Sequence, residues 1–287
     1  MRDASSSEGG TSGVYGPPEP PPVNTSPLYG PKPEQKRTIV LALGPGMVRG
    51  FASAGILKSL YSSKLIITHM VATEMSALVA ALYAVSSSPN PFEWALMRVN
   101  EELFLESEGF FGKFTGGSKP ANRLEAFLEK TFQQKTFKDL RIPLTIVVQN
   151  TQTREFMVIE DGRLVDALRA TLSVQGVLPP YSLRLKGEEW VVASGRHASS
   201  FILESARSYP HDLLLEIHLS GQNQKSEESH HQADLYGIKP DLQGIHDLDF
   251  TKKNEAIFRG KTNMDREMKK IQSIFFGDMN RESIQNE

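Results

Sequence analysis

A glycine-rich turn after the first apolar segment is the first place where this chain could do chemistry. Residues 38–43 (TIVLAL) are rich in β-branched side chains and stop at a glycine, which is typical of a buried strand. The turn Gly44-Pro-Gly-Met-Val-Arg-Gly50 follows, and residues 51–62 then have helical spacing. Glycines between a strand and a helix let backbone N–H groups converge on an anion, either a phosphate or the oxyanion of an acyl-transfer reaction. The turn lacks both a Lys-Ser/Thr pair and GxGxxG spacing, so a nucleotide site is the weaker alternative.

A second turn, Val71-Ala-Thr-Glu-Met-Ser-Ala77, lies between the next strand and a strongly apolar helix. Serine hydrolases of the α/β class carry G-x-S-x-G at such a place, with the nucleophile at the centre of a strained turn. The corresponding positions here hold Ala72, Glu74 and Ser76. The turn therefore has the position of a nucleophile elbow, but a carboxylic acid stands at its centre.

Alternating strands and helices must position these two turns. We predict strands at residues 38–43, 65–72, 144–150, 183–185, 189–193, 213–219 and 235–240, with 154–159 pairing with 144–150. We predict helices at residues 51–62, 75–85, 92–105, 122–132, 164–172 and 251–276, the last broken near Gly260. Residues 183–193 form a hairpin, 213–219 a central strand and 235–240 an edge strand. This order indicates an α/β fold with a mostly parallel sheet and helices on both faces.

Composition narrows the function classes. The 287 residues carry 32 Lys+Arg against 34 Asp+Glu, a formal charge of −2, which argues against a nucleic-acid partner. The absence of cysteine excludes disulfides, thiolate metal sites and a cysteine nucleophile. No apolar run is long enough to span a membrane as a helix. The pair His230-His231 lies in a polar loop without ligands at metal-binding spacing, so we predict neither a metal nor a cofactor.

The two ends of the chain differ from its body. Residues 1–36 hold 8 of the 17 prolines together with many serines and glycines, and we predict that they are disordered or polyproline II. The segment is either a dispensable extension or a tether. As a tether it would resemble the spacer of a bacterial envelope lipoprotein, with Met1 in place of a lipidated cysteine; otherwise the protein would be cytoplasmic. We predict one folded domain at residues 37–276 and a polar tail at residues 277–287.

With these turns and this order of elements, the chain resembles a bacterial patatin-like phospholipase. That family has a strand, a G-G-G-x-R-G oxyanion turn and a helix, then a G-x-S-x-G elbow and a D-G-G/A motif, and it uses a Ser–Asp dyad. The likeness runs over residues 37–276 and includes the stretches 136–144, 164–173, 176–180, 238–241 and 248–250. The resemblance implies a patatin-like three-layer α/β/α fold with a mostly parallel central sheet.

The family's site residues carry over only in part. In the oxyanion turn Gly44, Gly46, Arg49 and Gly50 match, whereas Pro45 and Met47 replace glycines, and proline has no N–H to donate. The resemblance places the nucleophile at Glu74 and the base at Ala193. The base motif continues with Ser194 for the first glycine, then Gly195 and Arg196. Six positions across three motifs therefore depart from the family: Pro45, Met47, Ala72, Glu74, Ser76 and Ala193.

These departures predict a pseudoenzyme, because the nucleophile and its base are both replaced. We expect a lipid-binding or partner-binding module, with a lipid or fatty-acyl ligand or a protein partner. An enzyme with relocated catalytic residues is the alternative. We expect Ser76 and Ser53 to be structural, and Glu74 to pair with Arg196, His197 or Arg49 or to cap its helix.

A remnant acyl cleft is predicted near four aromatic residues, although core or lid packing is the simpler interpretation of such a cluster. The four are Phe104, Phe110, Phe111 and Phe114.

Overall fold

A mixed, mostly parallel β-sheet forms the middle layer of the molecule. The computed structural model describes residues 37–63, 65–86, 89–106, 118–185, 187–219 and 234–276. Within these ranges the strands are β1 (Thr38–Leu43), β2 (Ile66–Ala72), β3 (Leu144–Asn150), β4 (Phe156–Ile159), β5 (Tyr181–Leu185), β6 (Glu188–Ser194), β7 (Leu213–Ile217) and β8 (Leu235–Ile238). The strand order is β5-β6-β3-β2-β1-β7-β8, with β4 paired to β3.

Strand direction divides the sheet into two parts. The pairs β1–β2, β1–β7, β2–β3 and β7–β8 are parallel. The pairs β3–β4, β3–β6 and β5–β6 are antiparallel. The predicted hairpin, the pairing of residues 154–159 with β3, and the edge position of β8 are confirmed. The strand predicted as central, β7, lies next to that edge.

Helices cover both faces of the sheet. They are α1 (Met47–Gly50), α2 (Ala52–Tyr61), α3 (Glu74–Ser86), α4 (Pro89–Met97), α5 (Ser118–Phe132), α6 (Leu164–Thr171), α7 (Ser199–Arg207) and α8 (Lys253–Phe276). Side chains of β1 alternate between two cores: Ile39, Leu41 and Leu43 face α1–α6 and α8, while Val40 and Ala42 face α7. The three-layer α/β/α architecture is therefore confirmed.

The predicted break in the last helix is wrong. Helix α8 continues without interruption through Gly260. The glycine serves a close approach between helices instead, because a Cβ at this position would overlap the backbone of Ala52 in α2. Gly55 of α2 has the same relation to the backbone of Ile257 in α8. Two glycines thus bring α2 and α8 into backbone contact. Helix propensity alone would treat each of these glycines as a weak point of its helix.

The sheet brings the two predicted turns together. Leu43 at the end of β1 pairs in register with Ala72 at the end of β2, and both strands run in the same direction. Both turns therefore lie at the same edge of the sheet, where α/β proteins bind ligands. In the antiparallel strand β6, Ser194 pairs with Val148 of β3 and brings the predicted base motif to this region.

Several predictions lie outside the described residues. They concern the tether at residues 1–36, the tail at residues 277–287, the pair His230-His231, and three of the four cleft aromatics, Phe110, Phe111 and Phe114. Within the ranges that the structure does describe, no helix is both long enough and apolar enough to cross a membrane.

Candidate functional site

The elbow between β2 and α3 keeps a strained backbone. Glu74, the first residue of α3, has φ of 53°, in the left-handed region that costs a non-glycine residue about 1–2 kcal/mol. Its N–H donates to Thr171 Oγ1 at 2.9 Å, and Thr171 Oγ1 in turn donates to the carbonyl of Val147 at 3.1 Å. Such strain is typical of functional sites and persists only where the surroundings enforce it. The turn between β2 and α3 is therefore strained at a glutamate, and its hydrogen bonds to Thr171 hold it in this conformation.

The Glu74 side chain lies within the oxyanion turn. It has no exposed surface. One carboxylate oxygen, Oε2, accepts a hydrogen bond from the N–H of Gly46 at 2.9 Å, and the other, Oε1, accepts one from Ser194 Oγ at 3.1 Å. Gly46 is a glycine that matches the family's oxyanion turn. The Gly46 N–H is thus already hydrogen-bonded to the protein's own carboxyl group.

The first two residues of this turn also offer no free backbone N–H. Gly44 donates its N–H to the carbonyl of Ile217 in β7 at 3.0 Å, and Pro45 has none. Met47 is fully buried in the core, so the residue that replaces a family glycine packs rather than binds. Gly50 allows α1 to lie on α3, since a Cβ there would come within 2.8 Å of the Met75 Cβ.

Burial dominates the electrostatics of the elbow. Loss of solvent around the carboxyl raises the pKa of Glu74 above its ordinary value of 4.5, and Asp247 adds to this. The charge of Arg196 and the hydrogen bonds from Ser194 and Gly46 lower the pKa, but they do not cancel the effect of burial. Glu74 therefore keeps its proton to a higher pH than an exposed glutamate does.

The base motif presents Ser194, and not Ala193, to the elbow. Both residues belong to β6, where neighbouring side chains point to opposite faces of the sheet. Ser194 is buried and contacts Glu74, whereas Ala193 points to the other face. The base position assigned from the resemblance, Ala193, is thus the neighbour of the residue that contacts Glu74. Gly195, the next residue, donates its N–H to Thr73 Oγ1 at 3.1 Å.

Two arginines predicted as partners of Glu74 bind a different carboxylate. Arg49 Nη2 lies 2.5 Å from Asp247 Oδ1, and Arg196 also pairs with Asp247. Arg49 Nη1 further donates to the carbonyl of Ile245 at 2.9 Å. In the part of the chain that the structure describes, Glu74 forms hydrogen bonds rather than an ion pair. The predicted ion pair with these arginines is therefore wrong.

A small polar cavity lies over this arrangement. Its volume is about 90 Å³. Its lining is mostly polar or charged and consists of Pro45, Gly46, Arg49, Glu74, Arg196, His197 and Asp247. Pockets that hold drug-sized ligands usually measure about 300–1,000 Å³, so this one suits a few waters or a very small polar group.

The serines near the elbow donate hydrogen bonds to backbone carbonyls. Ser76 lies in the first turn of α3 and donates to the carbonyls of Thr73 and Gly44 at 2.6 and 2.9 Å. Ser53 donates to the carbonyl of Gly50 at 2.6 Å. Ala72 is the buried last residue of β2.

Three polar residues of the site are missed by the sequence analysis. Thr73 and Thr171 are fully buried and link the elbow to β3, and Asp247 joins both arginines. Thr171 and Asp247 lie far along the chain from Glu74, and Thr73 resembles any residue that begins a helix. No local spacing signals these contacts, which form only in the folded chain.

Of the four aromatic residues of the predicted cleft, the structure describes Phe104, and this residue belongs to the core. Phe104 is fully buried and stacks on Phe250 with ring centroids 5.3 Å apart, and Phe51 meets Phe250 edge to face. These contacts favour the packing interpretation over an acyl cleft at this residue. Across the same described ranges, no group of three or more His, Asp or Glu could hold a metal ion.

Comparisons with known proteins identify a family to which this chain is similar. A family model described as patatin-like phospholipase matches residues 41–199, more than half of the chain. Two curated relatives, both named patatin-like phospholipase domain-containing protein 6, come from Mus musculus and Homo sapiens. Each is 26% identical over 194 residues, which is 65% of this chain. Patatin-like phospholipase domain-containing protein 7 of Rattus norvegicus is 22% identical over 193 residues.

The chain covers only 14% of the length of these curated relatives. Among solved structures, VipD from Legionella pneumophila aligns with a TM-score of 0.38 and 10% identity, covering 81% of this chain and 66% of that one. The range of the family model includes both turns and residues 193–196. The chain belongs to the patatin-like phospholipase family.

Proposed function

We propose that this domain is a catalytically silent member of its family that acts by binding a lipid or a protein partner. The observation that carries the proposal is the side chain of Glu74. It stands where the nucleophile would stand, and its carboxylate accepts the Gly46 N–H at 2.9 Å. A carboxylate in this place supplies no serine to acylate and leaves that N–H unavailable to a transition state.

The size of the cavity favours a protein partner over an acyl chain at the elbow. A volume of about 90 Å³ with a largely charged lining neither accommodates nor attracts a long apolar chain. Phe104, which would bound an acyl cleft, is stacked in the core. Binding to a partner would therefore use the retained fold and its surface rather than the interior of the old active site.

One relocated pair of residues supports the alternative, an active hydrolase. Ser194 Oγ lies 3.1 Å from Glu74 Oε1, so a serine and a carboxylate are paired with their positions exchanged relative to the family's dyad. Two features count against attack by Ser194. It is only 5% exposed and does not line the cavity, and the Gly46 N–H is already bound to Glu74.

Labelling with a fluorophosphonate probe, combined with ester and phospholipid hydrolysis assays, separates the two functions. We expect neither labelling nor turnover above that of the Ser194→Ala variant, which serves as the matched control. Labelling at Ser194, or turnover that disappears in Ser194→Ala, would establish the relocated enzyme and overturn our proposal. We also expect Glu74→Ser alone to remain inactive, because Ala193 still leaves no base at the family's base position.

Native mass spectrometry of the purified protein tests the kind of ligand. We expect the mass of the bare chain, because the cavity at the elbow is too small for an acyl chain. A co-purified lipid would instead identify a lipid-binding module. Membrane attachment through residues 1–36 stays a prediction, since that segment lies outside the described residues.

A further inference from the structure

A second polar cluster lies on the opposite face of the sheet from Glu74. His69 of β2 and Thr145 of β3 alternate with residues of the main core and therefore point to the α7 face. Glu160 follows β4, and Tyr209 follows α7. The four side chains come from four segments of the chain and meet at one point, away from the elbow described above.

The hydrogen bonds of this cluster form a directed network. Thr145 Oγ1 donates to Glu160 Oε1 at 2.6 Å, and the Tyr209 hydroxyl donates to the same oxygen. Thr145 Oγ1 also lies 2.8 Å from His69 Nε2. Thr145 Oγ1 also lies 2.8 Å from the Tyr209 hydroxyl, so the four side chains form one connected network around Thr145.

Glu160 offers an acceptor to a ligand, since both hydrogen bonds above go to Oε1 and its carboxylate has a second oxygen. Burial lowers the pKa of His69 to about 4, opposed in part by the charge of Glu160, so the ring is neutral near pH 7. Burial alone would raise the pKa of Glu160, but the hydrogen bonds from Thr145 and Tyr209 oppose this, so the pKa lies below its ordinary value and the carboxylate is ionised near pH 7.

Two clefts open from the cluster. One of about 600 Å³ and one of about 440 Å³ share His69 and Tyr209 as lining residues. The larger one has an apolar wall that includes Phe137, Leu140 and Leu144. Its volume falls within the range of small-molecule sites.

The charge of the larger cleft is negative. Its charged lining residues are Glu160, Asp161 and Lys138, two carboxylates against one cation. The rings of His69 and Tyr209 are stacked with centroids 3.5 Å apart, which fixes both side chains at the junction of the clefts. Glu160 is exposed at the surface, so a ligand can reach it.

We infer that this cleft is a binding site for a small amphipathic organic amine. The ammonium group donates to the exposed carboxylate of Glu160, and the apolar part of the ligand packs on the wall formed by Phe137, Leu140 and Leu144. A cationic donor is the complement of a carboxylate in a cleft whose lining carries a net negative charge. The inference does not depend on whether the elbow is catalytically silent.

Isothermal titration of the full chain at pH 7 with three matched probes tests the site. The probes are 2-phenylethylamine, which is cationic, 2-phenylethanol, which is neutral, and 3-phenylpropanoate, which is anionic. We expect the amine to bind at least tenfold more tightly than the alcohol and the carboxylate to bind more weakly still. Equal affinity for amine and alcohol, or no binding of the amine, would overturn the inference.

Two variants locate the binding. Glu160→Gln should weaken the amine at least tenfold and leave the affinity for the alcohol unchanged. Glu188→Gln, which removes an exposed carboxylate of β6 that does not line the cleft, is the matched control and should leave both affinities unchanged. An equal loss in the two variants would mean that the amine responds to net charge alone, which would contradict the assigned site. If Glu160→Gln fails to fold, the comparison of the three probes on the original chain still decides.

Discussion

Replacing Glu74 by glutamine tests the account of the elbow most directly. Glutamine has the same length as glutamate, and its carbonyl oxygen can accept the Gly46 N–H. Its amide can donate to Ser194 Oγ, so both hydrogen bonds of the original side chain have an equivalent. The substitution therefore removes the ionisation of the group and little else.

The sign of the effect follows from the direction of the pKa shift. Burial raises the pKa of Glu74 above 4.5, so the folded state holds its proton where the unfolded state has lost it. The wild-type stability from this group is fully present below pH 4.5 and is lost as the pH rises through the folded pKa. The amide side chain of the Glu74→Gln variant does not ionise and has no such loss. The stability difference between the variant and the wild type should grow by about 1.4 kcal/mol per unit of upward shift, then level off.

Urea unfolding at a series of pH values from 4 to 9 measures this difference. We expect the two proteins to agree within about 1 kcal/mol at pH 4, and the variant to be the more stable at pH 8. Glu188→Gln is the control, because that carboxylate is exposed and its replacement should give no pH-dependent gain. A Glu74→Gln difference that does not change with pH, or that favours the wild type at high pH, would refute the reasoning. It would mean that the Gly46 N–H and Arg196 outweigh the penalty of burial.

Three further predictions concern packing and charge elsewhere. Gly260→Ala should destabilise the protein by about 3 kcal/mol in urea unfolding, because its Cβ would overlap the backbone of α2; Gly187→Ala, at positive φ with open space around it, should cost only about 1–2 kcal/mol. Asp247→Ala should cost about 3 kcal/mol, and a double-mutant cycle with Arg49→Ala should give a smaller loss than the sum; strict additivity would contradict the pairing. Lowering the pH from 6.5 to 4 should reduce stability through His69 by about 2 kcal/mol, after discounting for its partial exposure, because its folded pKa of about 4 lies below the unfolded value; His69→Gln should remove that slope.

Local patterns determine much of this protein. The β-branched run at residues 38–43, the glycine turn after it and the apolar helix after Thr73 predict strands, turns and helices that the fold contains. The parallel arrangement follows from the alternation of these elements, and it places both turns at one edge of the sheet. The presence of a carboxylic acid at the centre of the elbow is likewise visible in the sequence.

Contacts between distant segments could not be read in the same way. Because glycine has a low helix propensity, Gly260 predicts a break when the sequence alone is considered. In the structure α8 is continuous, and the close approach of α2 explains why a glycine is found there. Whether Ala193 or Ser194 faces the elbow depends on the register of β6 against β3, where a shift of one residue reverses every side chain.

The charged residues of the site have partners that lie still further away along the chain. Arg49 and Arg196 bind Asp247, while Glu74 takes the N–H of Gly46. Spacing along the chain shows which side chains lie on the same face of a helix or strand. It does not report which buried donor meets which acceptor across the sheet, because that pairing is set by tertiary packing and by the free-energy cost of leaving a buried polar group unpaired. The sequence therefore determines where the elbow lies, and the tertiary structure decides that its carboxylate is directed into the oxyanion turn.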